Sequence, residues 1–286
     1  MNSREAPARI SAFSTAITAA ESVIGDEAQD PRVRQRSRSR LCGHGHRTAR
    51  AVLMLHGYTH APEQYDGLAE EFHDGGYNVW IPRAPQHGTV EANGHHLLNA
   101  AELRRYAEEA LRIVRGLGDE VGVVGISGGA VLAAWLAGQH EDVRRMLLLS
   151  PFFRPDVRTV PVIALRPLAF LYGRRLLPDR TTSRGYSLAA VTQYLRIALG
   201  LPRQPRRTGL RSLGLVYSEA DAVIDRAAAM AAAQRFANAN AIDLGTLVLP
   251  ASSGVAHNTL DPVALGDEAS ALYGRYRALY EGTGPL

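Results

Sequence analysis

The 286-residue chain contains no lysine, a single cysteine and no long apolar run. All 32 basic residues are arginine, which we interpret as a trait of genome composition because lysine is replaced everywhere. The lone cysteine, Cys42, excludes an internal disulfide framework. Without 18 consecutive apolar residues, no segment is expected to span a membrane. The N-terminus lacks a basic stretch followed by a strong apolar core, so we predict no secretory signal and a cytoplasmic location.

The positive charge is unevenly placed. Residues 151–211 hold twelve arginines and two acids, and residues 32–50 hold seven arginines and no acid. Such clusters can bind nucleic acid or anionic lipid. No nucleic-acid-binding motif and no interleaved aromatic residues accompany them. We therefore favour a solvated surface, predict no nucleic-acid partner, and keep peripheral contact with lipid as an alternative.

Apolar strand-like runs alternate with amphipathic stretches along most of the chain. Strands are predicted at 51–55, 77–81, 121–126, 144–149, 213–217 and 244–249, and helices at 10–24, 62–75, 97–116, 130–137, 222–237 and 262–280. This alternation predicts an α/β fold with a mostly parallel central sheet and helices on both faces. In such sheets the ligand site lies at the carboxyl ends of the strands.

The same pattern divides the chain. Residues 1–44 are predicted to be an N-terminal extension and edge strand, because an arginine stands at every second position of 32–40. Residues 45–150 and 212–286 carry the alternation of strands and helices. Residues 151–211 break it with scattered prolines and arginines, which indicates an inserted helical cap.

The motif Gly125-Ile126-Ser127-Gly128-Gly129 lies between a predicted strand and a predicted helix. This G-x-S-x-G spacing produces a sharp turn that exposes a serine at the start of a helix, where backbone N–H groups favour negative charge. We therefore predict that Ser127 is a nucleophile.

A serine nucleophile needs a base and an acid that orients the base. His257 follows the last predicted strand and is the only histidine in the final third of the chain. Asp221 follows the preceding strand, which gives the order Ser, Asp, His. We predict His257 as the base and Asp221 as its orienting acid, with Glu219 and Asp225 as rival carboxylates.

An oxyanion hole needs two backbone N–H groups that point to one place. Gly128 follows the nucleophile and supplies one. We assign the other to Tyr58, in the loop after the first central strand. His56 is predicted to shape this loop.

These motifs resemble the serine-type α/β-hydrolases, and most closely the bacterial carboxylesterase and monoacylglycerol-lipase-like branch. The residues that carry the resemblance are His56-Gly57-Tyr58, the loop 82–88, the motif 125–129, Asp221 and His257. The family's Pro-Gly-His-Gly motif is Pro85-Gln86-His87-Gly88 here. The resemblance implies hydrolysis of a carboxylic ester through an acyl-enzyme on Ser127, beneath a cap and without a cofactor.

Other activities stay open at this stage. The same three residues would serve a thioesterase, an amidase or a C–C hydrolase, and the fold also supports non-catalytic ligand receptors. A metal hydrolase is disfavoured because the close pairs His44-x-His46 and His95-His96 have no nearby cysteine or glutamate at ligand spacing on a predicted strand or helix. A dehalogenase or an epoxide hydrolase would need an aspartate at position 127. The sequence does not indicate an oligomeric state.

Overall fold

The computed structural model describes residues 5–91, 94–182 and 184–284. At its centre lies a seven-stranded sheet with the order β1-β3-β2-β4-β5-β6-β7. The strands are β1 Arg40–Cys42, β2 Thr48–Leu55, β3 Tyr77–Ile81, β4 Gly118–Ile126, β5 Val143–Leu149, β6 Ser212–Ser218 and β7 Leu244–Leu249. All neighbouring pairs are parallel except β1 with β3. The predicted mostly parallel sheet is confirmed.

Helices cover both faces of this sheet. They are α1 Glu5–Gln29, α2 Asp66–Asp74, α3 Ala100–Leu117, α4 Gly128–Gln139, α5 Leu165–Leu171, α6 Leu188–Leu199, α7 Arg226–Asn240, α8 Pro262–Leu265 and α9 Ala269–Glu281. Alternate residues of a strand point to opposite faces. Leu53 of β2 accordingly packs in the apolar cluster with α3 and α4, whereas its neighbour Val52 packs in the cluster with α2 and α9. Burial on both faces explains why the strands are continuous apolar runs.

Two glycines let α4 approach the sheet closely. A Cβ added at Gly129 would lie 1.9 Å from the carbonyl oxygen of Leu55, at the end of β2. A Cβ at Gly125 would lie 2.4 Å from the carbonyl oxygen of Gly129. Only hydrogen fits at either position, so the spacing of the G-x-S-x-G motif has a steric cause in this fold. The result is a helix that begins directly at the carboxyl edge of the sheet.

The N-terminal helix α1 packs on α3. Ala16 and Ala20 are buried, and a Cβ added at Gly116 of α3 would lie 2.4 Å from the Cβ of Ala16. Small residues on both helices therefore allow close contact. The extension proposed from the sequence contributes to the apolar core.

The edge strand predicted over 32–40 is wrong in its extent. The chain forms a short 3₁₀ turn at Gln35–Ser37, and β1 begins only at Arg40, at the edge of the sheet. The reason is an anchor on α1. Ser39 donates hydrogen bonds from its backbone nitrogen and its hydroxyl to the Glu27 carboxylate, at 2.6 and 2.9 Å. These bonds hold the segment against the helix.

Two predicted helices have different bounds in the structure. The segment 262–280 is divided into α8 and α9 at Gly266, whose φ is 56°. The segment predicted to be helical from 222 begins at Arg226, because the Asp225 side chain accepts a hydrogen bond from the Ala228 backbone nitrogen and caps α7.

Residues 151–211 lie between β5 and β6 and include α5 and α6. Helix α6 packs against α4. A Cβ added at Gly128 would lie 2.8 Å from the Tyr194 ring of α6, so the two helices touch at the start of α4. This inserted segment thus borders the serine turn.

Within residues 5–91, 94–182 and 184–284, none of the helices has the length and apolar character needed to cross a bilayer. The long helix α3, for example, exposes Arg105, Glu109 and Arg112.

Candidate active site

Ser127 occupies the sharp turn between β4 and α4. Its φ of 55° and ψ of −114° are unusual for a residue with a side chain. Hydrogen bonds at both ends fix this conformation. The Ser127 backbone nitrogen donates to the Leu149 carbonyl at 2.9 Å, and the Ser127 carbonyl accepts from the Phe152 nitrogen at 3.1 Å. The turn therefore presents the hydroxyl at the carboxyl edge of the sheet.

Ser127, His257 and Asp221 form one chain of hydrogen bonds. The Oγ of Ser127 lies 2.8 Å from Nε2 of His257, and Nδ1 of the same ring lies 2.8 Å from Oδ2 of Asp221. Asp221 is 1% exposed, whereas His257 and Ser127 are partly exposed. The structure brings these three predicted residues together from the ends of three strands. A buried carboxylate on the far nitrogen favours the tautomer whose Nε2 can accept the serine proton.

The second oxygen of Asp221 is also bound. Its Oδ1 accepts from the Val223 backbone nitrogen at 2.8 Å. The residue therefore holds its own turn with one oxygen and His257 with the other. This double anchor fixes the orientation of the carboxylate.

The two rival carboxylates are bound elsewhere. Asp225 caps α7 and pairs with Arg154 at 2.9 Å. Glu219 accepts from the Ala251 backbone nitrogen at 3.0 Å. Only Asp221 of the three is in contact with His257 among the hydrogen bonds of the described chain.

The loop after β2 lies against the serine turn. A Cβ added at Gly57 would be 3.4 Å from the Cβ of Ser127. The Gly57 nitrogen donates to the Gln64 side chain at 2.9 Å, so it is already engaged. Tyr58 and Gly128 both line the small cavity beside Ser127. The assignment of the Tyr58 and Gly128 nitrogens as the donors for an oxyanion stays a prediction.

Tyr58 also connects this loop to the inserted segment. Its hydroxyl accepts a hydrogen bond from the Ser187 backbone nitrogen at 3.1 Å, just before α6. Burial raises the pKa of Tyr58 to about 12, so the phenol stays protonated. The side chain of Tyr58 therefore has a structural role, which is separate from the role predicted for its backbone nitrogen.

Two buried histidines brace the loops behind the site. His56 Nε2 accepts from the Ala84 backbone nitrogen at 2.9 Å, which ties the loop after β2 to the loop after β3. The His87 ring stands edge-on to His56, with ring centres 5.1 Å apart. Burial lowers the pKa of His56 to about 3 and holds the pKa of His87 well below its usual range. Both rings are neutral at pH 7.

The histidine pairs weighed as metal ligands are engaged in other contacts. His44 Nε2 lies 3.1 Å from the His73 carbonyl oxygen, and His46 Nδ1 lies 2.9 Å from the His44 carbonyl oxygen. The His95 ring stacks edge-on against His87. Over the ranges that the structure covers, no three His, Cys, Asp or Glu side chains converge as a metal site.

The cavity beside Ser127 is small and mainly apolar. Its volume is about 50 Å³. The residues around it are Gly57, Tyr58, His60, Gln64, Ile126, Ser127, Gly128, Phe152, Tyr186, Val191, Tyr194, Val223, His257 and Asn258. Four of these, Phe152, Tyr186, Val191 and Tyr194, lie in the inserted segment, which therefore forms part of the cavity wall.

Sequence reasoning missed several lining residues. Gln64 bonds both Gly57 and Asn258, but it sits on a short 3₁₀ helix and follows no motif. For Asn258, the only indication in the sequence is its position next to His257. Tyr186 and Tyr194 lie in the inserted segment, where no periodic pattern connects them to the serine turn.

Comparison with known proteins identifies a family for most of the chain. Residues 52–265 match the Alpha/beta hydrolase family. A thermostable monoacylglycerol lipase from Bacillus sp. strain H-257 is 32% identical over 96 residues, which are 32% of this chain and 36% of the lipase. An AB hydrolase superfamily protein from Gibberella zeae is 33% identical over 125 residues, 43% of this chain and 42% of that protein. The chain thus matches less than half the length of these curated relatives.

Solved structures share the fold along most of the chain. A metagenome-derived lipolytic enzyme has a TM-score of 0.65 at 18% identity, covering 87% of this chain and 99% of its own. The monoacylglycerol lipase of Paleococcus ferrophilus has a TM-score of 0.61 at 16% identity, covering 86% and 97%. Est1E of Butyrivibrio proteoclasticus, with ferulic acid bound, has a TM-score of 0.61 at 13% identity, covering 85% and 95%.

Proposed function

We propose that this chain, which belongs to the alpha/beta hydrolase family, is a serine hydrolase that cleaves carboxylic esters through an acyl-enzyme on Ser127. One observation carries the proposal. The Ser127 hydroxyl, the His257 ring and the buried Asp221 carboxylate are joined by two hydrogen bonds of 2.8 Å beside an apolar cavity. This is the arrangement that makes a serine nucleophilic.

In the first half of the proposed reaction, His257 Nε2 takes the proton of Ser127 as Oγ attacks the ester carbonyl carbon. The carbonyl oxygen becomes an oxyanion, which accepts hydrogen bonds from the Tyr58 nitrogen after β2 and from the Gly128 nitrogen at the start of α4. The C–O bond to the alcohol then breaks, and the imidazolium returns its proton to the leaving alkoxide. The acyl group remains on Ser127.

In the second half, His257 takes a proton from water, whose oxygen attacks the acyl carbon. Collapse of the second oxyanion releases the carboxylic acid, and Ser127 regains its proton. Asp221 stays ionised and stabilises each imidazolium. Groups of the chain handle every proton and charge, so the proposed cycle uses no cofactor.

The cavity supports short acyl groups as substrates. A volume of about 50 Å³ holds about four waters, at roughly 10–15 Å³ for each probe-sized site. The cavity is bounded by apolar side chains, among them Phe152, Val191 and Val223. An acetyl or butyryl ester fits this space better than a palmitoyl ester.

We also propose that residues 151–211 act as a cap on the core formed by residues 45–150 and 212–286. Two contacts support this division. The Tyr58 hydroxyl accepts from Ser187, and the Tyr194 ring closes over Gly128. The segment would then cover the serine turn.

We propose the cytoplasm as the site of action. Fractionation of cells that express the tagged chain, followed by immunoblotting, tests the location directly.

Hydrolysis of p-nitrophenyl esters from acetate to palmitate tests the function. The wild-type protein is expected to turn over short esters, and Ser127→Ala should reduce the rate by orders of magnitude. Equal rates for the two proteins would overturn the mechanism. An inert wild type whose Ser127 still reacts with a fluorophosphonate would instead place the substrate among thioesters, amides or C–C bonds.

A further inference from the structure

A groove about ten times larger than the catalytic cavity lies between the inserted segment and α7. Its volume is about 580 Å³. We call it the arginine groove, because its lining consists of four arginines and otherwise apolar residues. The apolar residues are Phe153, Val162, Ile163, Leu165, Ala198, Leu199, Leu201, Pro202, Ala228, Ala231, Ala232 and Phe236, and the arginines are Arg154, Arg166, Arg203 and Arg235.

The arginine groove is separate from the catalytic cavity. Phe152 lines the cavity, whereas its neighbour Phe153 lines the groove. The chain from Phe152 to Asp156 runs between them and is fixed by a hydrogen bond from the Asp156 nitrogen to the Val223 carbonyl at 2.9 Å. No lining residue is shared, so a ligand of the groove need not be a substrate.

The charge of the groove is largely uncompensated. In the parts of the chain that the structure describes, Arg166, Arg203 and Arg235 form no ion pair. Arg154 pairs with Asp225 at 2.9 Å, yet its Nε is buried and lacks a hydrogen-bond partner there. Among the residues that the structure describes, no acid lines the groove. Three guanidinium groups without an ion pair, together with the unsatisfied Nε of Arg154, favour the binding of an anion in this concave site.

The rim of the groove carries apolar side chains that are open to solvent. Ile163 is 88% exposed and Val162 is 51% exposed at its rim. Apolar surface of this kind is stabilised when another apolar group covers it. Volumes of about 300–1,000 Å³ are usual for small-molecule sites.

We propose that the arginine groove binds a single-chain amphiphilic carboxylate, a free fatty acid in monomeric form. The acyl chain covers Val162, Ile163 and Leu199, which are apolar lining residues that solvent reaches. The carboxylate accepts hydrogen bonds from Arg203 or Arg235 at the rim, where a planar guanidinium matches both oxygens of the head group. The combination of exposed apolar side chains with unpaired arginines favours this class over neutral lipids and over small inorganic anions.

Calorimetric titration of palmitate below its micelle concentration tests the proposal. All proteins carry Ser127→Ala, so catalysis does not enter the readout and the outcome is independent of the proposed reaction. The groove variant is Arg166→Gln/Arg203→Gln/Arg235→Gln, all at exposed positions. The matched control, Arg112→Gln/Arg206→Gln/Arg207→Gln, removes the same charge from exposed residues outside the groove. A second variant, Ala231→Trp, places a large side chain at an exposed lining position and so occupies space in the groove.

We expect saturable binding of palmitate to the parent and to the control. The groove variant and Ala231→Trp should each bind roughly tenfold more weakly or worse, since charge-assisted hydrogen bonds or apolar contacts are lost. Hexadecanol should bind the parent more weakly than palmitate and should not distinguish the groove variant from the control.

Three results would overturn the proposal. The first is equal palmitate affinity in the groove variant and the control. The second is no monomer binding but groove-dependent sedimentation with phosphatidylglycerol vesicles, which would make the face a membrane surface. The third is a dimer that the groove variant dissociates, which would make it an interface between two copies.

Discussion

The Gln64 side chain joins Gly57 to Asn258, which lies 194 positions after Gln64 in the sequence. Its Oε1 accepts from the Gly57 nitrogen at 2.9 Å, and its Nε2 donates to Asn258 Oδ1 at 3.1 Å. Gly57 precedes Tyr58, and Asn258 follows His257. One amide therefore fixes the loop with the proposed oxyanion donor relative to the loop with the proposed base.

This relationship predicts that Gln64→Ala lowers kcat for a good ester roughly tenfold or more, with less effect on KM, because oriented groups lose their fixed spacing. Gln64→Glu keeps the acceptor for Gly57 but removes the donor to Asn258, so an intermediate loss is expected. Steady-state kinetics measure both. Gln234→Ala, an exposed glutamine on α7, is the control and should behave as the wild type. A pure KM effect in Gln64→Ala would contradict the positioning role.

Of the three candidate carboxylates, only Asp221 should strongly lower kcat when it is replaced by its amide. Asp221→Asn is expected to reduce kcat by about 10³–10⁴, because the amide favours the wrong tautomer of the ring. Glu219→Gln and Asp225→Asn remove the rival carboxylates and should leave the rate essentially unchanged. A large loss in either rival, with an active Asp221→Asn protein, would reassign the acid.

Stability should fall as the solution becomes acidic, because His56 and His87 are buried in their neutral forms. The pKa of His56 falls from 6.5 to about 3 on folding, so the unfolded chain binds more protons between these values. The contribution of His56 is therefore present above pH 6.5 and is lost as pH falls toward 3, by roughly 1 kcal/mol per pH unit. The buried neutral ring of His87 acts in the same direction.

Thermal unfolding from about pH 7.5 to about pH 5 measures this dependence in the range where histidines titrate. His87→Gln should flatten it, and His46→Gln, an exposed control, should not. A midpoint that is the same at both ends of the range in the wild type would contradict burial of neutral rings.

The close approach of α4 to β2 predicts opposite effects at two glycines of one helix. At Gly129 an added Cβ would meet the Leu55 carbonyl oxygen at 1.9 Å, so Gly129→Ala should destabilise the fold by about 3 kcal/mol or more. At Gly138 an added Cβ would meet the Phe236 ring at an ordinary 3.7 Å. Gly138→Ala should therefore stabilise the helix by about 0.5–1 kcal/mol. Urea denaturation measures both, and equal changes would contradict the steric account.

The sequence predicted most of the sheet because parallel strands buried on both faces are short apolar runs. The run 77–81 coincides with β3, and 244–249 coincides with β7. The positions of Ser127, Asp221 and His257 also followed from local patterns, since each lies just after such a run. Their proximity is then a consequence of parallel strands that end at one edge.

Features fixed by distant contacts could not be predicted in this way. Alternating arginines suggested a strand over 32–40. Instead, Ser39 donates hydrogen bonds to Glu27, which hold the segment against α1. Gln64 and Asn258 show no shared pattern in sequence. The arginine groove needs the fold itself, because it combines the inserted segment with α7.

Labelling with a fluorophosphonate, read by intact mass and peptide mapping, tests the central claim most directly, because it requires an activated serine but no knowledge of the substrate. We predict one equivalent on the peptide that contains Ser127, a much slower reaction in His257→Ala, and none in Ser127→Ala. No labelling of the folded wild-type protein, or labelling at another serine, would contradict the proposal that Ser127, His257 and Asp221 form a catalytic unit.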